Sequence, residues 1–228
     1  MQKDLINKYF DLSESKMAKI NHLKVVYALW NSKINLISRK DFDFFYERHV
    51  LHSLSICKVF SFKSNSKIMD LGTGGGFPGI PLAIIFPEVK FILVDSITKK
   101  TQALNSIIQD LELDNVKILN CRAEDINDKF DFIISRAVAP LDKLIMWTNN
   151  QISTNNRHSF KNGLICLKGG DLKYELKKNK KNITVFSINE FFTEDFFLEK
   201  KNYLLDSIKL RRNLALPNYN FIVLLMFL

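Results

Sequence analysis

The chain has 228 residues, 46% of them hydrophobic, and a formal charge of +9, which suits one cored domain with an appendage and raises the local concentration of anionic partners such as nucleic acid. No apolar run approaches the roughly 20 residues that span a bilayer, the longest being residues 221–228, and the first twenty residues mix charge with apolar positions unlike a signal peptide. Cys57, Cys121 and Cys166 are far apart, with no CxxC and no Cys/His cluster, so a disulfide framework and a metal centre are both excluded and a soluble, cytoplasmic chain with reduced, packed cysteines is expected.

From the N-terminus, apolar residues at Met17, Ile20, Leu23, Tyr27, Trp30 and Ile34 step by three and four, which predicts a helix with Ser13 as its N-cap. A second helix is predicted after Asp41, through DFDFFYERHVLHSLSICKVF, with a broad apolar face. SKIMDLG then reads as a buried strand and GIPLAIIF as a helix closed by Pro87. KFILVDS is a second strand, followed by a helix ITKKTQALNSIIQDLEL that Ser96 is placed to cap. VKILNC and FDFIISRA are the third and fourth strands, with a helix around PLDKLIMWTNNQI. GLICLKG is the fifth strand and DLKYELKKNK a helix. NITVFSI and KNYLL close the series as two strands, expected to pair as an antiparallel hairpin at one edge. Apolar strands alternating with helices predict an α/β fold with a doubly wound, mostly parallel seven-stranded sheet. The expected organisation is an N-terminal helical extension over 1–60, the sheet domain over 61–206, and a tail over 207–228 of undefined structure.

The run IMDLGTGGGFPGIPLAI, residues 68–84, holds five of the eight glycines. In a doubly wound sheet, ligands lie at the carboxyl ends of the strands, which is where these glycines fall. GGGFPG fits a dinucleotide fingerprint, GxGxxG, whereas DLGTGGG, an acid followed by GxGxG, fits an S-adenosylmethionine (SAM) site. Pro78 and Pro81 crowd the helix start and remove N–H donors that a pyrophosphate needs. SAM carries no phosphate. Asp70 offers charge to its cationic end, Asp95 closes the second strand where ribose hydroxyls would be met, and Glu124 with Asp125 follows the third. Acids ending three successive strands, in register with the glycines, favour SAM. Phe77, large and apolar inside a glycine turn, is expected to pack on the cofactor.

The fourth strand ends in SRAVAPL. The Asn/Asp-Pro-Pro-aromatic motif of exocyclic-amine methylation is absent there, and so is the cysteine nucleophile of pyrimidine C5 methylation. A ring nitrogen such as N7 of guanine needs neither. It presents an in-plane lone pair and loses no proton, so positioning carries the reaction. Arg136, ending that strand, and Lys168, ending the fifth, are the candidate catalytic residues, Arg136 placed to meet an RNA phosphate or the cofactor's carboxylate and Lys168 an RNA phosphate. Arg48 and His49 are candidates for the RNA face. His22 and His158 read as surface residues, and Trp30 and Trp147 as core or interface. The run KKNKK, residues 177–181, reads equally as a phosphate track or a solvated helix end.

NLIS, RHVLHSL, IMDLGTGGGFPGIPLAI, LVDSITKK, CRAED, FDFIISRAVAPL and LKGG, over residues 35–170, together resemble the bacterial small-subunit ribosomal RNA methyltransferase G family, also called glucose-inhibited division protein B. The resemblance implies a class I, Rossmann-like SAM-dependent methyltransferase with a helical extension, acting on N7 of one guanine in 16S rRNA; a monomer is expected. It implies cofactor contacts at Gly72, Gly74, Phe77, Asp95, Ala123, Glu124 and Arg136, and no metal. Two features depart from the family. His52 stands where many relatives carry Asp in RHxxDS, and the sequence after Asp206 has no counterpart. A small-molecule methyltransferase, a non-catalytic SAM- and RNA-binding module and a nicotinamide enzyme are the alternatives.

Overall fold

The computed structural model describes residues 4–170, 172, 174, 175 and 183–198, and the backbone of Phe221–Phe227. A short α1 (Asp4–Asn7) precedes the long α2 (Glu14–Lys33). The predicted stripe of α2 faces inward, with Ile20, Leu23, Val26 and Tyr27 buried. Ser13 sits at the N-cap, but its hydroxyl makes no capping bond.

The second predicted helix is helical without being one regular α-helix. A 3-10 segment, Arg39–Phe44, leads into a π-helical segment, Tyr46–Leu51, which continues as α3 (His52–Leu54) and a 3-10 turn, Ser55–Lys58. Its apolar residues are consecutive rather than spaced at 3.6, and every residue from Val50 to Ile56 is buried. Wider π turns are often found at functional sites, and this one carries Arg48 and His49.

The body alternates as predicted: β1 (Lys67–Leu71), α4 (Gly79–Ile85), β2 (Lys90–Asp95), α5 (Thr98–Asp110), β3 (Val116–Asn120), β4 (Phe132–Arg136), α6 (Leu141–Thr148), β5 (Gly163–Gly169) and β6 (Ile183–Ser187). Ile97, not Ser96, takes the N-cap of α5. The seventh strand, β7, is Phe221–Phe227, drawn from the tail, and it lies between β5 and β6 in a seven-stranded sheet of order β3-β2-β1-β4-β5-β7-β6. All six described pairings are parallel, so β6 and β7 form no antiparallel hairpin, and KNYLL lies outside the described residues. The DLKYELKKNK helix and the KKNKK run also fall largely outside them.

Successive strand residues serve opposite faces. In β4, Phe132 and Ile134 join the core shared with α2, the π turn and α4, while Ile133 joins a second core with Met69, Val94 and Leu144. Both faces are covered, which explains why these strands read as unbroken apolar runs. The strand order reverses between β1 and β4, and the loop after β1 opens there.

Candidate active site

A cavity of about 780 Å³ lies at the carboxyl ends of β1, β2, β4 and β5, within the usual size range for small-molecule and cofactor sites. Gly72, Gly74, Phe77, Asp95, Arg136 and Lys168 line it, joined by His49, His52, Lys100, Val138 and Cys166. Ala123 and Glu124 do not line it. Ala123 is buried in a 3-10 turn after β3, and its carbonyl accepts a bond from Gln151, while Glu124 points to solvent. The structure thus brings together six of the eight residues expected at the site.

The glycine turn is framed from below. Asp70 is fully buried, and its Oδ2 accepts from Thr73 Oγ1 at 2.7 Å and from the Gly79 N–H at 2.9 Å. Burial pushes its carboxyl up to about 6, against those bonds and the Arg136 charge. Asp70 therefore shapes the turn from beneath and does not line the cavity. Asp95 braces the turn from the side, its Oδ2 accepting from the Gly74 N–H at 2.8 Å and its Oδ1 from the Ile97 N–H at 2.9 Å.

The clustered glycines have two separate causes. A Cβ on Gly75 would lie 2.8 Å from the Leu36 carbonyl oxygen, and one on Gly79 2.7 Å from Asp70 Oδ2, so the chain itself closes on these two. Gly74 is different: it is left-handed at φ +58, and a Cβ there would meet no protein atom nearer than 3.9 Å. Gly72, at φ +64, faces the Val138 side chain, itself 37% exposed. The open backbone that a ligand can approach is at Gly74, whereas Val138 closes over Gly72.

Phe77 does not wait for a ligand to pack on. Its ring is 2% exposed and sits 5.1 Å from Tyr27, 5.2 Å from His49 and 5.9 Å from Phe45. Tyr27 also donates to the Gly75 carbonyl at 2.6 Å, so α2 holds the glycine turn directly. Nothing local in the sequence signals this contact, because Tyr27 reads simply as one apolar position of a helix stripe.

Arg136 lies over the Phe77 ring at 5.1 Å and donates to the Arg48 carbonyl and to His49 Nδ1, each at 3.2 Å. Among the described residues no carboxylate forms an ion pair with it. Burial lowers it to about 10, which leaves it charged at neutral pH. A guanidinium with donors to spare at a cavity wall suits an incoming anion. Lys168, by contrast, is held by Glu175 at 2.6 Å. Glu175 also accepts from the Leu141 N–H, so this pair ties β5 to α6.

Burial, and then the Arg136 charge, push His49 down to about 3, so the ring is neutral at any working pH. His52 is buried, with its ring edge-on to Phe196 and Phe197. His158, read from sequence as a surface residue, is 9% exposed and accepts from the Lys63 N–H and contacts Ser66 Oγ, both at 3.1 Å. Cys166 lines the cavity, but burial pushes its thiol up to about 12, which keeps it from acting as a thiolate nucleophile. Among the described residues, no group of three or more His, Cys, Asp and Glu is placed to hold a metal ion, and no helix is long and apolar enough to cross a membrane.

A doubly wound sheet of this order, with an acid-framed glycine turn after β1 and a second acid closing β2, defines a class I SAM-dependent methyltransferase. The GidB family model, rRNA small subunit methyltransferase G, matches residues 16–204. The chain is 48% identical over 202 residues to a ribosomal RNA small subunit methyltransferase G of Christiangramia forsetii, covering 88% of this chain and 95% of that one. A relative of the same name in Phocaeicola vulgatus is 52% identical over 199 residues, covering 87% and 95%, and one in Bacteroides thetaiotaomicron is 50% identical over 199 residues, covering 87% and 97%. The chain belongs to the rRNA small subunit methyltransferase G family, and it is an enzyme, a methyltransferase of small-subunit ribosomal RNA.

Proposed function

We propose that the chain transfers the methyl group of SAM to N7 of one guanine in 16S rRNA, acting as a monomer in the cytoplasm. The observation that carries this reading is the two-sided cavity, with an open glycine backbone braced by Asp95 on one wall and Arg136 with His49 on the other.

The residues present fit the cofactor. Gly74 leaves backbone open to it, Asp95 is placed for its ribose, and among the described residues the Arg136 guanidinium has no carboxylate ion pair. Ala123 and Glu124, at the end of β3, are proposed to border its adenine end. When bound, SAM supplies an electrophilic methyl on a sulfonium.

The chain's own part is to hold N7 in line and to exclude water. Guanine N7 gives up no proton, so no general base is required, and the neutral His49 and the un-ionised Cys166 are consistent with that. Apolar walls from Phe77, Val138, Leu167 and Leu172 suit a step in which a positive charge spreads from the donor into the base. Positioning of this kind supplies on the order of 7–11 kcal/mol in favourable cases. Arg136 and the exposed Lys99, with Lys100 on the cavity wall, give phosphate a basic approach. The helical extension adds Arg48, whose guanidinium pairs with Asp41 at 2.5 Å and whose carbonyl accepts from Arg136. Purified chain, methyl-labelled SAM and small subunits lacking the modification test the reading: the label is expected in 7-methylguanosine, and label in any other nucleoside contradicts it.

A further inference from the structure

We propose that Asn31 is a positioning residue for the cofactor: it fixes the loop after α2 against the glycine turn, so that the helical extension completes the SAM site. This role rests on SAM lying at that turn, as proposed above, and adds the group on the extension that shapes it.

α2 ends at Lys33, and Asn31, in its last turn, holds the loop that follows, residues 34–38, with its whole amide. Its Oδ1 accepts from the Leu36 N–H and the Ile37 N–H, each at 2.9 Å, and its Nδ2 donates to the Ile37 carbonyl at 3.0 Å. Two N–H donors facing Oδ1 and a carbonyl facing Nδ2 fix which way the amide points. Leu36 and Ile37 are themselves buried in the core beneath α2.

An asparagine near a helix end commonly does no more than brace its own loop. Here the braced residues are the ones that meet the glycines. A Cβ on Gly75 would lie 2.8 Å from the Leu36 carbonyl oxygen and 3.6 Å from Ile37 Cγ1. Tyr27, four residues before Asn31 and so on the same face of α2, donates to the Gly75 carbonyl. Gly75 follows Gly74, the residue with the open backbone, whose N–H is bound by Asp95. The turn is therefore held on one side by acids of the sheet, Asp70 and Asp95, and on the other by two side chains of α2, Tyr27 directly and Asn31 through Leu36. Without the Asn31 amide, the Leu36 and Ile37 N–H groups lose their acceptor, the loop is free to withdraw from Gly75, and the turn loses one of its walls.

Two substitutions on α2 separate this role from simple bracing. Lys19 lies on the same helix and donates to the Leu111 and Glu112 carbonyls, each at 2.7 Å, so Lys19→Met loosens α2 from α5 without touching the turn. The melting temperature is expected to fall in both Lys19→Met and Asn31→Ala. The SAM dissociation constant by calorimetry is expected to rise about tenfold or more in Asn31→Ala, the scale of one lost hydrogen bond, and to stay within about threefold of wild type in Lys19→Met. Gly75→Ala completes a double-mutant cycle. Its Cβ pushes Leu36 aside, so it disturbs the contact that Asn31→Ala also loosens, and the double variant should bind SAM at least about threefold more tightly than the two single losses multiplied. If Asn31→Ala loses stability but binds SAM as Lys19→Met does, or if the two losses simply multiply, Asn31 braces its own loop alone and the proposal is overturned. Gly74→Val that binds SAM as wild type does would contradict the placing of SAM at the turn, a separate and recognisable failure.

Discussion

Gly74 shows most directly how a single residue sets the site. Its left-handed backbone and the open space around it leave the peptide exposed to a ligand. Gly74→Val puts a branched side chain into that space at a φ such residues avoid. SAM binding by calorimetry is expected to weaken at least a hundredfold, and unchanged affinity would mean the cofactor lies elsewhere. Asp70 makes a different prediction. Burial raises its carboxyl from 3.8 to about 6, so between those values the folded chain holds a proton that the unfolded chain has lost. Its contribution to stability is full below about pH 4 and is lost as the pH rises through about 6. Asp70→Asn keeps an acceptor for Thr73 and Gly79 but removes that slope. Its stability relative to wild type should rise by on the order of 2 kcal/mol between pH 4.5 and 7.5, read from urea unfolding at those two values. An unchanged difference at the two pH values would contradict it.

Among the elements, α2 and the π turn are what distinguish this site from a bare nucleotide fold. Tyr27 on α2 clasps the Gly75 carbonyl, and the Leu36 carbonyl closes over the same glycine. Tyr27→Phe leaves a buried carbonyl without its donor, at a cost of about 1–3 kcal/mol. The melting temperature is expected to fall, and SAM affinity with it; a fall in stability with unchanged affinity would show that the clasp does not organise the turn. The body of the fold was legible because each strand is a short apolar run and each helix has its own period. The glycine turn was legible because acid, glycines and strand end coincide in a few residues. The Tyr27 clasp was not, since 48 residues separate its partners. Nor was the π turn, because a 3.6 period assumes regular α geometry, which the consecutive buried residues of VLHSLSI do not obey. His158 was misread for the same reason as Tyr27, as its partners Lys63 and Ser66 are more than 90 residues away.

Over the whole molecule, the sheet gathers into one cavity residues spread from His49 to Glu175. It also takes its seventh strand from the tail, where β7 lies between β5 and β6. KNYLL, with its apolar pair so close to β6, was the more obvious choice from local sequence, and strand partners distant in the chain carry no local mark. The net charge of +9 and the basic mouth suit an RNA substrate presented by a large anionic particle. This cavity is expected to methylate N7 of one guanine, and chemical cleavage of the RNA at 7-methylguanosine reads that out. Small subunits lacking the modification are incubated with the chain and SAM, and their 16S rRNA is then reduced, cleaved with aniline and mapped. A single new cut is expected, approaching one per subunit and absent with Gly74→Val. No cut, or cuts scattered over many guanines, would contradict it.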